Sequence, residues 1–103
     1  MSRAMEDAGR VAIEGELTIY QASEWVAQLQ HALHRVDSLT VDLAGVTEID
    51  TAGVQVLALT RREAALRDRT VVFDAHSPAV LEVFRLLGLD EQLQCAITPW
   101  GGA

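Results

Sequence analysis

The chain has one cysteine, Cys95, so it can form no internal disulfide and offers no cysteine pair for zinc. It has no lysine. All eight basic residues are arginine, set against 15 acidic residues, for a formal net charge of −7. There is no basic stretch interleaved with aromatics, which argues against a nucleic-acid partner. The acidic balance also disfavours an anionic membrane surface. Aromatic residues make up 5% and there are two prolines, Pro78 and Pro99. No apolar run is long enough to span a bilayer, and no basic start leads into an apolar stretch, so neither a transmembrane helix nor a signal peptide is read. A glycine-rich phosphate loop, a nucleophile elbow and a zinc motif are all missing. These absences point to a cytoplasmic protein with no metal and no cofactor.

What remains is a globular composition. Half of the 103 residues are hydrophobic and 22% are charged, which suits one domain with one core. The domain is expected over residues 10–98, with a flexible N-terminus at 1–9 and a tail at 99–103. Arg10 to Glu14 alternates as a strand does. Gly15 is expected to break it, and Glu16-Leu17-Thr18 to return as a short second strand. A helix capped by Thr18 or Ser23 then runs to about Val36, with Ala22, Val26, Leu29, Leu33 and Val36 on one face and Trp25 widening it. Leu39 to Leu43 is β-branched and apolar, as a central strand should be. A second helix is expected from about Ala52 to Arg67. Val54, Leu57, Ala58 and Ala65 form its sheet face, and Arg61 lies along it. Thr70 to Asp74 is the next strand. Ser77-Pro78 opens a third helix, with Val80, Val83, Phe84 and Leu87 inward and Gly88 as its stop. Leu93 to Ile97 forms a last strand. Strands alternating with helices imply an α/β fold: a mixed, mostly parallel sheet of about five strands with helices packed against it.

The chemistry concentrates at Ile49-Asp50-Thr51-Ala52-Gly53, where the central strand gives way to the second helix. Thr51 places a hydroxyl at a helix N-terminus, where backbone N–H groups lack partners and the dipole is positive. A phosphate there adds about −1.5 to −2 charges and meets a favourable field. The N–H groups of Gly53 and Val54 are its expected donors. Gly53, without a Cβ, lets a ligand or another backbone come close. Without any phosphate, Thr51 serves as a helix cap. Leu59 is assigned to packing against the neighbouring helix, whereas Ala52 and Val56, nearer Thr51, are assigned to a partner surface with Gln55 at its rim. His31, His34 and His76 are read as solvated and lack a third ligand for a metal. Asp42 is read as capping a turn and Asp50 as preceding the helix cap, so the two do not form a hydrolytic carboxylate pair. Trp25 is assigned to the core, Trp100 to the tail, and Cys95 to a strand as a small hydrophobe.

The strand-turn-helix carrying Ile49-Asp50-Thr51-Ala52-Gly53 resembles the signature of STAS domains, whose best-known members are bacterial anti-sigma factor antagonists. Gly15-Glu16-Leu17, Asp42-Leu43, Ser77-Pro78 and Leu86-Leu87-Gly88-Leu89 support it, so the likeness runs from about Arg10 to Ile97. The resemblance implies a single STAS domain that binds proteins rather than catalysing a reaction, monomeric or weakly dimeric. It implies a partner serine/threonine kinase, itself the anti-sigma factor, that phosphorylates Thr51. The unmodified form binds the kinase and frees the sigma factor, the phosphorylated form lets go, and a phosphatase resets it. Partner contacts are expected at Asp50, Thr51, Ala52, Gly53, Gln55 and Val56. The chain has Thr51-Ala52 where many sigma regulators carry Ser-Ser, and Thr18 where they often carry an acidic residue. The threonine version also resembles MlaB-like subunits of phospholipid-transport ABC systems, which bind an ATPase, and Gly15-Glu16-Leu17-Thr18-Ile19-Tyr20 together with Asp50-Thr51-Ala52-Gly53 is similar to small STAS proteins associated with chemotaxis.

Overall fold

The computed structural model describes residues 9–88. The expected last strand at Leu93–Ile97, Cys95 and Trp100 lie outside the described residues. Within them the order is β1 (Arg10–Leu17), α1 (Ala22–Arg35), β2 (Ser38–Ile49), α2 (Thr51–Leu66), β3 (Thr70–Asp74) and α3 (Pro78–Leu86). The three strands form one sheet in the order β1-β2-β3, and both pairings are parallel. Each parallel neighbour is reached through a helix, as parallel pairing requires.

The register explains which side chains are buried. Val11 pairs with Val41 and Val41 with Phe73, while Leu39 pairs with Val71. Partners in register point to the same face, so these residues, with Ile13 and Leu43, make one apolar face, all at most 3% exposed. The opposite face carries Arg10, Ala12, Thr40, Asp42, Val72 and Asp74, none of them buried. The helices supply the other half of the core: Trp25, Leu29, Ala32 and Leu33 from α1, Val54, Val56, Leu57 and Ala64 from α2, and Val80 and Phe84 from α3. α1 packs against α2, and α3 lies against β2.

Two expectations about the strands are corrected. Gly15 does not divide the first strand. It takes φ +89°, which glycine tolerates, and the strand continues through it to Leu17. The central strand does not stop at Leu43 but runs to Ile49. It does so by bulging. Ala12 pairs with Asp42 but Glu14 with Gly45, and Gly15 pairs with Val46 but Glu16 with Glu48. Each shift inserts one extra residue in β2, so its buried positions move from every second residue (Leu39, Val41, Leu43) to every third (Val46, Ile49). Strict alternation could not have revealed this half of the strand.

The first bulge is fixed by Asp42, whose Oδ1 accepts the Ala44 N–H (2.9 Å) while Oδ2 accepts from Arg10 Nη2 (2.9 Å). Asp42, expected to cap a turn, lies instead inside β2 and holds a bulge, because the strand continues past it to Ile49. The Ala44 N–H, and then Arg10, hold its carboxyl below the ordinary carboxylate value against an opposing effect of partial burial.

The helix termini follow from local chemistry. Ser77 Oγ accepts the Val80 N–H (3.1 Å) and Pro78 follows as the first helical residue, as expected. Gly88, at φ +76°, lies just past the end of α3. Leu87, expected inward, is 47% exposed, because α3 ends at Leu86 and Leu87 is its C-cap, outside the helical face that packs. At the end of α2, Asp68 adopts φ 61°. Its N–H donates to the Ala65 carbonyl (3.1 Å) and the Arg69 N–H to the Ala64 carbonyl (2.7 Å). This is a Schellman closure with aspartate where glycine is usual. Arg69 Nη1 then donates to the Val36 carbonyl (2.7 Å), which closes the end of α1. Among the described residues no helix is long and apolar enough to cross a membrane, and no cluster of His, Cys, Asp or Glu could hold a metal ion.

Candidate partner-binding site at the start of α2

The site is built where β1 and β2 end side by side. Leu17 pairs with Ile49, so the turn after β1 and the N-terminus of α2 emerge together. Gly53 sets how closely they approach. A Cβ on it would overlap the Leu17 carbonyl oxygen and lie 2.8 Å from Ile49 Cγ1. The close approach expected at this glycine therefore exists, but the chain's own backbone fills it. Gly53 is buried and offers nothing to a partner.

Asp50, expected to precede the cap, is itself the N-cap of α2 in place of Thr51, because its carboxylate reaches the Gly53 N–H, and it uses both carboxylate oxygens. Oδ1 accepts the Gly53 N–H (3.0 Å) and Oδ2 accepts the Ile19 N–H (3.1 Å), so one side chain caps the helix and ties down the turn after β1. The turn has its own bracing. The Thr18 hydroxyl donates to Gln21 Oε1 (2.7 Å), the Thr18 N–H donates to the same oxygen (3.1 Å), and the Tyr20 N–H donates to Thr18 Oγ1 (3.3 Å). The Gln21 N–H donates to the Thr18 carbonyl (3.0 Å). Gln21, and neither Thr18 nor Ser23, precedes α1, and it makes no side-chain cap. The glutamine side chain folds back on Thr18 instead, so the turn takes the groups a conventional cap would use.

Thr51 is the first residue of α2 and is exposed. Its expected phosphate donors are corrected. The Gly53 N–H already bonds to Asp50 Oδ1, and the Val54 N–H donates to the Asp50 carbonyl (3.0 Å). The helix leaves only the Thr51 and Ala52 N–H groups without an internal acceptor.

The remaining expected contacts divide by the rotation of α2. Gly53, Val56, Leu57, Thr60 and Ala64 recur at helical spacing and face inward. Val56 is 2% exposed, so it is a core residue and not a contact. Ala58 is half-buried and Ala65 is exposed, which moves the buried stripe from Ala65 to Ala64. Thr51, Gln55, Leu59, Arg62 and Leu66 form the outward stripe, with Ala52 half-buried beside it. Leu59, expected to pack on a neighbouring helix, is 48% exposed. Val56 and Leu59 thus exchange the roles expected of them, because the contact of Gly53 with Leu17 fixes the rotation of the helix.

Two residues not assigned to the site from the sequence complete the surface. Ile19 is 64% exposed and Tyr20 is 88% exposed, both on the turn held by Asp50. Their signal was a pair of large apolar residues between a strand and a helix, where small polar turn residues are the rule. The histidines contribute nothing here. His31 and His34 are exposed on α1, and His34 Nδ1 donates to the Gln30 carbonyl (2.9 Å). His76 is not solvated as expected: it is half-buried, its ring centroid is 6.2 Å from that of Phe84, and its Nδ1 is buried without a partner.

Among the described residues, a parallel sheet of three strands and a helix capped by Asp50, with Thr51 exposed at its first position, define a small α/β module that presents a helix start and an adjoining turn. Residues 1–98 match the family described as Mlab, STAS domain, and the chain belongs to it. The fold agrees with solved structures. An anti-sigma factor antagonist from Mycobacterium paratuberculosis aligns with TM-score 0.69 at 22% identity, covering 89% of this chain and 80% of that one. The anti-sigma factor antagonist SpoIIAA in its unphosphorylated form gives TM-score 0.67 at 21% identity, covering 86% and 82%. The Bacillus cell fate determinant SpoIIAA in its phosphorylated form gives 0.63 at 20% identity, covering 86% and 85%. No curated protein sequence gives a match.

Proposed function

We propose that this STAS domain is a non-enzymatic regulatory protein-binding module of the anti-sigma factor antagonist type, switched by phosphorylation of Thr51 by a partner serine/threonine kinase. The observation that carries the reading is the placement of Thr51: exposed, first in α2, and beside an outward surface of Gln55, Ile19 and Tyr20. A hydroxyl there is reachable by a kinase, and modifying it disturbs no core contact. Asp50 keeps both oxygens on backbone N–H groups, which leaves the threonine oxygen as the group that meets a partner. A phosphate at an exposed helix start is tolerated by the fold, with about 0.3–1 kcal/mol of help from the dipole. In a closed interface the same phosphate is desolvated without pairing and costs far more. That difference is what releases the partner.

The family match favours a second reading, a subunit of a phospholipid-transport ABC complex that binds the ATPase, because the matched family carries the MlaB description. The two readings share the surface and differ in the partner and in the modification of Thr51. A third partner class, chemotaxis proteins, uses the same face. The test is to purify the protein from its native host and analyse bound proteins and Thr51-containing peptides by mass spectrometry. A bound kinase and phosphothreonine at Thr51, with Thr51→Glu losing that kinase and Thr51→Ala keeping it, is the expected result. An ATPase bound to unmodified protein selects the transport reading and ends the phosphoswitch.

A further inference from the structure

The surface beside Thr51 has an apolar centre whose occupant the proposed function leaves unspecified. We propose that Ile19 and Tyr20 are its hydrophobic anchor, and that the occupant is a foreign protein presenting an apolar cleft rimmed by arginine or lysine. This rests on the reading that this end of the molecule binds a protein.

Two adjacent large apolar side chains, 64% and 88% exposed, are costly to leave in water, and scattered exposure does not explain them side by side. Their backbone is fixed. The Ile19 N–H is held by Asp50, the Tyr20 N–H by Thr18, and the turn is closed by the Gln21 N–H on the Thr18 carbonyl. A braced turn loses little freedom when a partner arrives, so most of the burial of an aromatic ring appears as affinity. Tyrosine is also among the residue types that dominate binding when desolvated.

The rim selects the occupant. Glu16 and Glu48 are register partners at the same end of the sheet, and Gln21 Nε2 donates to Glu16 Oε1 (3.4 Å). Glu24 lies in the first turn of α1. The end of the molecule that carries the anchor therefore also carries three carboxylates, on a chain of net charge −7. A second copy docking by the same face would bring these acidic groups together, whereas a basic rim complements them.

A photo-crosslinking phenylalanine derivative placed at position 20 or, separately, at position 55 in the native host tests this. After irradiation the crosslinked peptides are sequenced, and the identified partner is purified and titrated against wild type and Tyr20→Ala. Both positions are expected to reach the same protein, with position 20 on an apolar segment flanked by arginine or lysine. Tyr20→Ala is expected to weaken binding by about 30-fold with an unchanged melting curve, since the ring touches no core. A partner caught from position 55 whose affinity changes less than about threefold in Tyr20→Ala, where an anchor is worth tenfold or more, refutes the anchor and leaves the functional reading standing. Crosslinks from position 20 to a second copy alone refute the stated occupant. No protein caught from either position overturns both the anchor and the binding reading.

Discussion

Asp50 carries two bonds from one carboxylate, and its replacement separates them. Oδ1 caps α2 at Gly53 and Oδ2 holds the turn at Ile19. An N-cap is worth about 1 kcal/mol. The second bond also has an ionised acceptor, but it lies at an exposed position, so about 0.5–1 kcal/mol is the appropriate figure. Asp50→Ala should then cost about 1.5–2 kcal/mol, or about 6–15 °C in Tm for a domain of this size. Asp50→Asn keeps one carbonyl oxygen, and its amide nitrogen cannot accept from a backbone N–H. It should lose only one of the bonds, about 0.5–1 kcal/mol. Asp50→Ser reaches Gly53 but is too short to reach Ile19. Urea unfolding gives the energies, and amide hydrogen exchange resolves them by site. Asp50→Ser should leave Gly53 protected and expose Ile19, while Asp50→Ala should expose both. Equal protection of Ile19 in wild type and Asp50→Ser would refute the double clamp, as would an Asp50→Ala variant within about 0.5 kcal/mol of wild type.

Other outcomes follow from single contacts. Gly53→Ala places a methyl group against the Leu17 carbonyl and Ile49, so it should cost about 3 kcal/mol or more, read as a large loss of urea midpoint. Asp68→Gly removes an unfavourable left-handed aspartate at φ 61°. Less the greater chain entropy of glycine, it should stabilise by about 0.5 kcal/mol and raise Tm by about 2–4 °C in calorimetry. Burial lowers the His76 pKa below its ordinary 6.5, with Asp74 opposing the shift. The folded state thus binds fewer protons than the unfolded one as the solution is acidified. Stability should fall as pH drops below about 6.5 toward the folded value, and His76→Phe should flatten that fall in urea titrations over the same window. A variant with the same pH slope as wild type would show that another group is responsible.

Elements with strong local chemistry are legible from the residues alone. Ser77 and Pro78 start α3 because a hydroxyl cap and a fixed φ act within a few residues. Leu29 and Leu33 are buried because helical spacing places them on one face. The start of α2 is legible for the same local reason to within one residue: the cap expected at Thr51 is Asp50, and Thr51 is the exposed first residue after it. The junction that carries the family signature was therefore legible, and with it the family. Features that depend on a neighbouring chain segment emerge only in the fold. The bulges of β2 exist because Asp42 and the register of β1 fix them, and they carry the strand past the end of its alternating pattern to Ile49. The rotation of α2 is set where Gly53 meets the Leu17 carbonyl, which buries Val56 and exposes Leu59 against the expectation from the helix alone. Ile19 and Tyr20 join the site because Asp50, 31 residues from Ile19, reaches across to hold their turn. A periodicity describes one element at a time. The surface offered to a partner depends on how two elements meet, and here one carboxylate and one missing side chain decide that meeting.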